Sequence, residues 1–259
     1  MRFTDQVVVV TGAGYGIGRG VAEAFAREGA RVVLAGRSTE KLAEVEAALE
    51  SGPARPLVMP TDVRVESEVD RLIATTREKL GRLDVLVNNA GIAGPTSLAR
   101  DLALADWDDT LRVNLTGAFL CARRAAAVMM SAKRGAIVNI SSVAGRMGYP
   151  LRTPYAASKW GMIGLSHSLA AELGPYGVRV NAVLPGSTEG ERMERVITAR
   201  ANAEGRTNDE ARQWFVKDIP LQRMVTRDEV ARAVLFLASD DASGITGQAF
   251  SVCGGYQMR

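Results

Sequence analysis

Short runs of β-branched residues alternate with longer amphipathic stretches from one end of this chain to the other, and that alternation leaves few folds open. QVVVVTG (6–12) reads as a buried strand. GRGVAEAFAREG (18–29) carries apolar residues at helical spacing and stops at a glycine. The same pattern predicts strands over 30–36, 55–63, 83–91, 135–142, 177–186 and 247–255. It predicts helices over 38–51 (capped by Ser38 or Thr39), 66–81, 105–131, from Tyr155 onward, and over 227–239. Strands that are apolar throughout, rather than at every second residue, are buried on both faces. The chain is therefore α/β: a doubly wound parallel sheet of about seven strands with helices on both faces. No linker, repeat or low-complexity tract interrupts it, so 1–259 is expected to form one domain. The exception is 187–225, charged and turn-rich with helical fragments, placed just after a strand's C-terminal end. Ligands of such sheets bind at that edge, so a mobile substrate lid is expected there.

Composition narrows the function classes. Hydrophobic content of 47% with 24% charged residues is that of a water-soluble globular chain. The net charge of +3 is dispersed, with Arg19, Arg27 and Arg31 set among glutamates, so no nucleic-acid partner is expected. No apolar run approaches membrane-spanning length, and no membrane partner is expected. Cys121 and Cys253 make neither a disulfide framework nor a metal spacing, and the single histidine, His167, excludes a multi-histidine metal site. MRFTDQVVVVTG leads directly into a strand, so no signal peptide is expected and a reducing cytoplasm is the expected location.

Between the first strand and first helix stands TGAGYGIG, Thr11 to Gly18. The spacing G-x-G-x-x-G does not fit it; T-G-x-x-x-G-x-G does, on Gly12, Gly16 and Gly18. Glycines there allow a tight turn and close backbone approach to a pyrophosphate. The helix N-terminus behind them offers free N–H groups and partial positive charge. Further on, PYAASKWGM places Tyr155 and Lys159 four residues apart, on one face of a helix whose first turn holds a proline and small residues. A phenol and an ammonium so placed form a candidate proton-transfer pair.

TGAGYGIG, NNAG (88–91), Asn114 in VNLTG, Ser142 in NISS, YAASK and Pro185–Gly186 occur in the order and spacing of the short-chain dehydrogenase/reductase family, which the chain resembles over essentially its whole length. The resemblance implies a Rossmann-type fold and an oxidoreductase moving a hydride between a nicotinamide cofactor and a ketone or secondary alcohol. It implies a catalytic set of Asn114, Ser142, Tyr155 and Lys159. Tyr155 would be the general acid or base, Lys159 would also bind the nicotinamide ribose, Ser142 would hold the substrate oxygen, and Asn114 would bind a proton-relaying water. The chemistry can be argued separately for the pair. A free phenol titrates near about 10. A cation ~4 Å away at an effective dielectric of ~20 is worth about 4 kcal/mol, or roughly three pKa units, which brings the phenol toward the range of acid–base catalysis.

The resemblance places the cofactor on Gly12, Tyr15, Gly16, Ile17 and Gly18, on Arg37 and Ser38, on Asp62 and Val63, on Asn89, Ala90 and Gly91, on Tyr155 and Lys159, and on Pro185, Gly186 and Thr188. Asp62 would accept from the adenine. Gly36 stands where NAD-preferring relatives carry aspartate, and Arg37 follows it; a guanidinium there grips a 2′-phosphate, so NADP is expected, with NAD the alternative. For the substrate, Ser142, Ala144, Tyr149, Tyr155, Arg192 and Trp214 are the chosen contacts, with Val143, Met147, Leu151, Ser187 and Met193 as further wall. Sugars, polyols, hydroxy acids, hydrophobic ketones and 3-oxoacyl carrier proteins all stay open as substrates. A homotetramer or dimer paired through the 105–131 helix, the Tyr155 helix and the last strand is expected. The alternative to an enzyme is a silent dinucleotide-binding sensor or scaffold on the same fold.

Overall fold

A computed structural model describes residues 1–50 and 55–256. The sheet is seven-stranded and parallel throughout: β1 (Val7–Thr11), β2 (Arg31–Gly36), β3 (Leu57–Pro60), β4 (Val85–Asn88), β5 (Gly135–Ile140), β6 (Val178–Pro185) and β7 (Ala249–Val252), in the order β3-β2-β1-β4-β5-β6-β7. The four valines of β1 explain the arrangement. All are fully buried, and because side chains alternate along a strand they serve two cores. Val8 and Val10 pack with α1 (Gly16–Arg27), α2 (Thr39–Leu49) and α9 (Arg227–Ala238). Val7 and Val9 pack on the other face with α3 (Glu66–Leu80), α5 (Gly117–Ala132) and α6 (Thr153–Leu173).

Most predicted elements are present with shifted ends. Ser38 is the cap of α2, its hydroxyl accepting from the Lys41 amide at 3.2 Å; Ser51, where that helix was expected to end, lies outside the described residues. The strand expected over 55–63 shortens to Leu57–Pro60. The expected 105–131 helix is a correction. It is α4 (Leu104–Leu111), a π-helical turn over Arg112–Thr116, and then α5. The Gly117 amide donates five residues back, to the Arg112 carbonyl, so one extra residue is looped into the helix. That residue set includes Asn114, whose side chain leaves the helix to bond the Ile92 backbone.

Segment 187–225 folds as two helices, α7 (Glu191–Glu204) and α8 (Asn208–Val216), which share a small core of Ile197, Ala201, Ala211, Phe215 and Met224. A Thr207–Glu210 capping box starts α8. Both ends of the segment are tied together: Thr188 bridges Val225, the Val225 amide donates to Ser187 at 2.9 Å and the Glu189 amide donates to Val225 at 2.9 Å. It therefore sits as a folded cap at the C-terminal edge of β6, rather than as helical fragments in a loop.

Candidate active site

Strand order reverses between β1 and β4, which opens a crevice at their C-terminal ends. Two adjoining clefts lie there and share Gly12, Tyr15, Ala90 and Gly91, so they form one elongated groove. The glycine turn is held from the β4 side. The Thr11 hydroxyl accepts from the Asn89 and Ala90 amides at 3.0 and 3.1 Å, and the Asn89 side chain donates to the Thr11 and Gly12 carbonyls at 2.9 and 3.1 Å. Gly12 and Gly16 have φ of +65° and +56°, and a Cβ on Gly16 would meet nothing within 4 Å. Tyr15 precedes α1 without a side-chain cap, and the first turn of α1 holds no acidic residue, so its free N–H groups face the groove uncompensated. These features fit a dinucleotide pyrophosphate. Gly18 does not line the groove; a Cβ there would stand 2.2 Å from the Gly12 carbonyl, so its role is close packing of helix on turn.

The second cleft is lined by Gly36, Arg37, Ser38, Lys41, Asp62 and Val63. Asp62 is engaged by Arg64 at 2.6 Å, and this hydrogen-bonded guanidinium holds its carboxyl below the usual carboxylate range. Arg37 is exposed at the end of β2.

The wider cleft brings together Ser142, Tyr155 and Lys159 with Ala144, Tyr149, Pro185, Gly186, Thr188, Arg192 and Trp214. Tyr155 and Lys159 stand one turn apart near the start of α6, which has Pro154 in its first turn. Lys159 is buried, and its ammonium donates to the Ile140 carbonyl at 2.8 Å and lies 5.7 Å from the centre of the Tyr155 ring. Ser142 ends the β5 connection and caps a short 3₁₀ turn, accepting from the Ala144 amide at 3.2 Å. Asn114 does not line the cleft. It is completely buried behind it, donating to the Ser158 hydroxyl at 3.0 Å, and Ser158 in turn donates to the Tyr155 carbonyl at 2.7 Å. Leu151 also stays out of the wall, whereas Val143, Met147, Ser187 and Met193 are in it. Arg192 reaches across the groove: its guanidinium stacks over Tyr15 and donates to the Tyr15 hydroxyl at 3.2 Å and to the Gly91 carbonyl.

Among the lining residues that escaped the sequence reading are Arg152, Phe215 and Tyr256. Phe215 and Tyr256 come from the cap and the C-terminal turn, and nothing local in the sequence marks them. Arg152 had a signal, three residues before Tyr155, but an arginine ordinarily reads as solvated surface.

Burial pushes the Lys159 ammonium down to about 7, with the Arg192 charge adding to the effect. A lysine in the unfolded chain titrates near about 10.4. Between these values the unfolded chain holds a proton that the folded chain has lost, so this residue makes stability rise with pH across that window and weighs most on the fold below about 7. Lys159→Met removes the titration. Its melting temperature relative to the unaltered chain should be highest near about pH 6 and fall steadily toward about pH 10; a difference independent of pH in thermal unfolding overturns this.

Residues 12–257 match the family described as enoyl-(acyl carrier protein) reductase. A 3-oxoacyl-[acyl-carrier-protein] reductase of Synechocystis sp. is 42% identical over 258 residues, covering 98% of each chain. Among solved structures, levodione reductase superposes with a TM-score of 0.94 at 36% identity, covering 98% of each chain. The NAD⁺-bound xylitol dehydrogenase does so with a TM-score of 0.96 at 31% identity, covering 98% of this chain and all of that one. The chain thus belongs to the short-chain dehydrogenase/reductase family and is an NAD(P)-dependent oxidoreductase acting between a secondary alcohol and a ketone.

Proposed function

We propose that this enzyme works with NADP(H) on a small ketone or secondary alcohol, with Tyr155 as the acid–base group. The observation that carries the assignment is the convergence of Tyr155, Lys159 and Ser142 on one cleft that runs into the glycine turn. The bound dinucleotide supplies the hydride donor or acceptor. In reduction, the Tyr155 hydroxyl gives its proton to the substrate oxygen as the carbon receives the hydride; in oxidation the phenolate takes that proton back. Ser142 holds the same oxygen by a hydrogen bond. Lys159, fixed by the Ile140 carbonyl, holds its charge beside the Tyr155 ring whenever it is protonated and lines the same cleft, where it would bind the nicotinamide ribose. Asn114 acts from behind, fixing the Tyr155 backbone through Ser158 and holding the Ile92 backbone in the loop after β4.

NADP is favoured by the adenosine-side cleft. Gly36 brings no carboxylate to the ribose, Arg37 is exposed beside it, and Ser38 and Lys41 add donors. Residues 187–225 act as the lid over the substrate end: Met193, Val196, Trp214 and Phe215 of α7 and α8 form one wall of the cleft. The reading as a 3-oxoacyl carrier protein reductase is supported by the Synechocystis relative and competes for the substrate only, not for the chemistry. Phe119 on α5, Trp160 on α6 and Phe250 on β7 are 41%, 52% and 45% exposed, and such apolar faces suit a homotetramer.

Tyr155→Phe should lower kcat by about three orders of magnitude or more while dinucleotide binding, read by fluorescence titration, survives; near-normal turnover refutes the assignment. The Kd for NADP should lie below that for NAD, and an equal or reversed order in the same titration removes NADP. Sedimentation velocity should give a species of about four chains, and a monomer contradicts the assembly.

A further inference from the structure

Arg152 is the least explained group in the cleft. It is 5% exposed, lines the cavity beside Tyr149 and Tyr155, and no carboxylate pairs with it among the described residues. Its Nη1 donates to the Thr96 hydroxyl at 2.8 Å, and its guanidinium carbon lies 5.7 Å from the centre of the Tyr155 ring. Its Nε is buried without a partner, and no hydrogen bond is formed by Nη2 among the described residues. Nε and Nη2 are the adjacent donors that grip an oxyanion side-on.

Its surroundings add positive charge rather than cancelling it. The charged and titratable groups that act on Arg152 are Tyr149, Tyr155, Arg200 and Arg192. Arg200 is stacked on Trp214, with its guanidinium carbon 3.6 Å from the ring centre, and is already paired with Glu204 at 2.8 Å. Arg192 is spent on Tyr15 and Gly91. Burial also pushes the Arg152 guanidinium below its usual range. A buried, unpaired cation is costly to fold around unless something charged comes to meet it. The backbone holds it there at further cost: Leu151, just before it, is in the left-handed region at φ +65°, with its carbonyl accepting from the Ser97 amide at 3.0 Å. Segments 96–97 and 149–152 thus clamp one guanidinium in the wall of the cleft, with Nε and Nη2 left unpartnered among the described residues.

We propose that Arg152 is a specificity-determining residue that binds an oxyanion on the substrate. The substrate is then a small ketone or secondary alcohol with a carboxylate, phosphonate or similar group only a few bonds from the reacting carbon. This rests on the reading of Tyr155 as the group at the substrate oxygen, because the guanidinium stands beside that ring. A long acyl chain carrying its charge at a remote end would leave the fork empty.

The test uses ketones matched for shape and differing in charge: acetoacetate, 4-oxopentanoate and 2-oxopropylphosphonate against their methyl esters, with NADPH and the full-length protein. At least one anion should exceed its ester in kcat/KM, and Arg152→Gln should reduce that anion-to-ester ratio by about 30- to 100-fold, with Arg152→Lys between the two. Calorimetry on Tyr155→Phe with NADPH bound gives a readout independent of turnover: that anion should bind this variant, and adding Arg152→Gln should abolish binding. If the esters match or exceed all three anions, or if Arg152→Gln lowers anion and ester alike, the anion site is overturned while the hydride-transfer reading stands. Binding that requires Arg152 with no turnover of any ketone overturns the hydride-transfer reading and leaves the anion site standing. Failure of all three anions to bind overturns the anion site.

Discussion

Where the strand order turns around, between β1 and β4, two side chains stitch the strand ends together: the Thr11 hydroxyl takes the Asn89 and Ala90 amides, and the Asn89 side chain takes the Thr11 and Gly12 carbonyls. Everything at the C-terminal edge is measured from that seam. It holds Gly12 at positive φ, which lets Gly18 close on it with no room for a Cβ, and this aims the start of α1 into the groove. Without side chain contributions there, the backbone polar groups at two buried strand ends would need other partners in a site that must admit a ligand. The same economy appears one strand further on. Asn88 donates to Asn139 at 2.9 Å, and Asn139 donates to Ser166 at 2.9 Å, so β4, β5 and α6 are joined by buried amides and a hydroxyl. That chain of bonds sets how α6 lies on the sheet, and α6 carries Tyr155 and Lys159.

Burial of Lys159 has two sides. It donates to a neutral carbonyl, that of Ile140, and no anionic group among the described residues rewards it for keeping its proton. The charge that the sequence spacing sets beside the phenol therefore belongs to a group that is itself near its titration point at neutral pH.

The architecture was legible because its signals are local and repeated. Four consecutive valines in β1 demand burial on two faces, and glycines at Gly12, Gly16 and Gly18 demand a turn that tolerates nothing larger or needs positive φ. The Tyr155–Lys159 spacing is likewise a single-helix property. What escaped was decided by contacts distant in the chain. The π-helical turn at 112–116 exists for the sake of Asn114, which reaches Ile92 and Ser158, and a helical pattern of apolar residues runs through it unbroken. The folding of 187–225 into a cap follows from a five-residue core whose members are scattered among charges. Arg152 went unread because nothing in its neighbours' identities records that Thr96 and Tyr149 close over it.

The tie between Thr188 and Val225 brings the two ends of the cap side by side at the margin of the sheet. A stretch of chain that leaves and returns at one place, with an interior of its own, is nearly a plug-in part. Its helices can be lengthened, recoloured or exchanged while the seam, the glycine turn and the phenol–ammonium pair keep their positions. Chemistry and taste for substrate can then drift at different speeds within one polypeptide, which is what is expected of a scaffold whose kin include proteins named for levodione, xylitol and 3-oxoacyl groups.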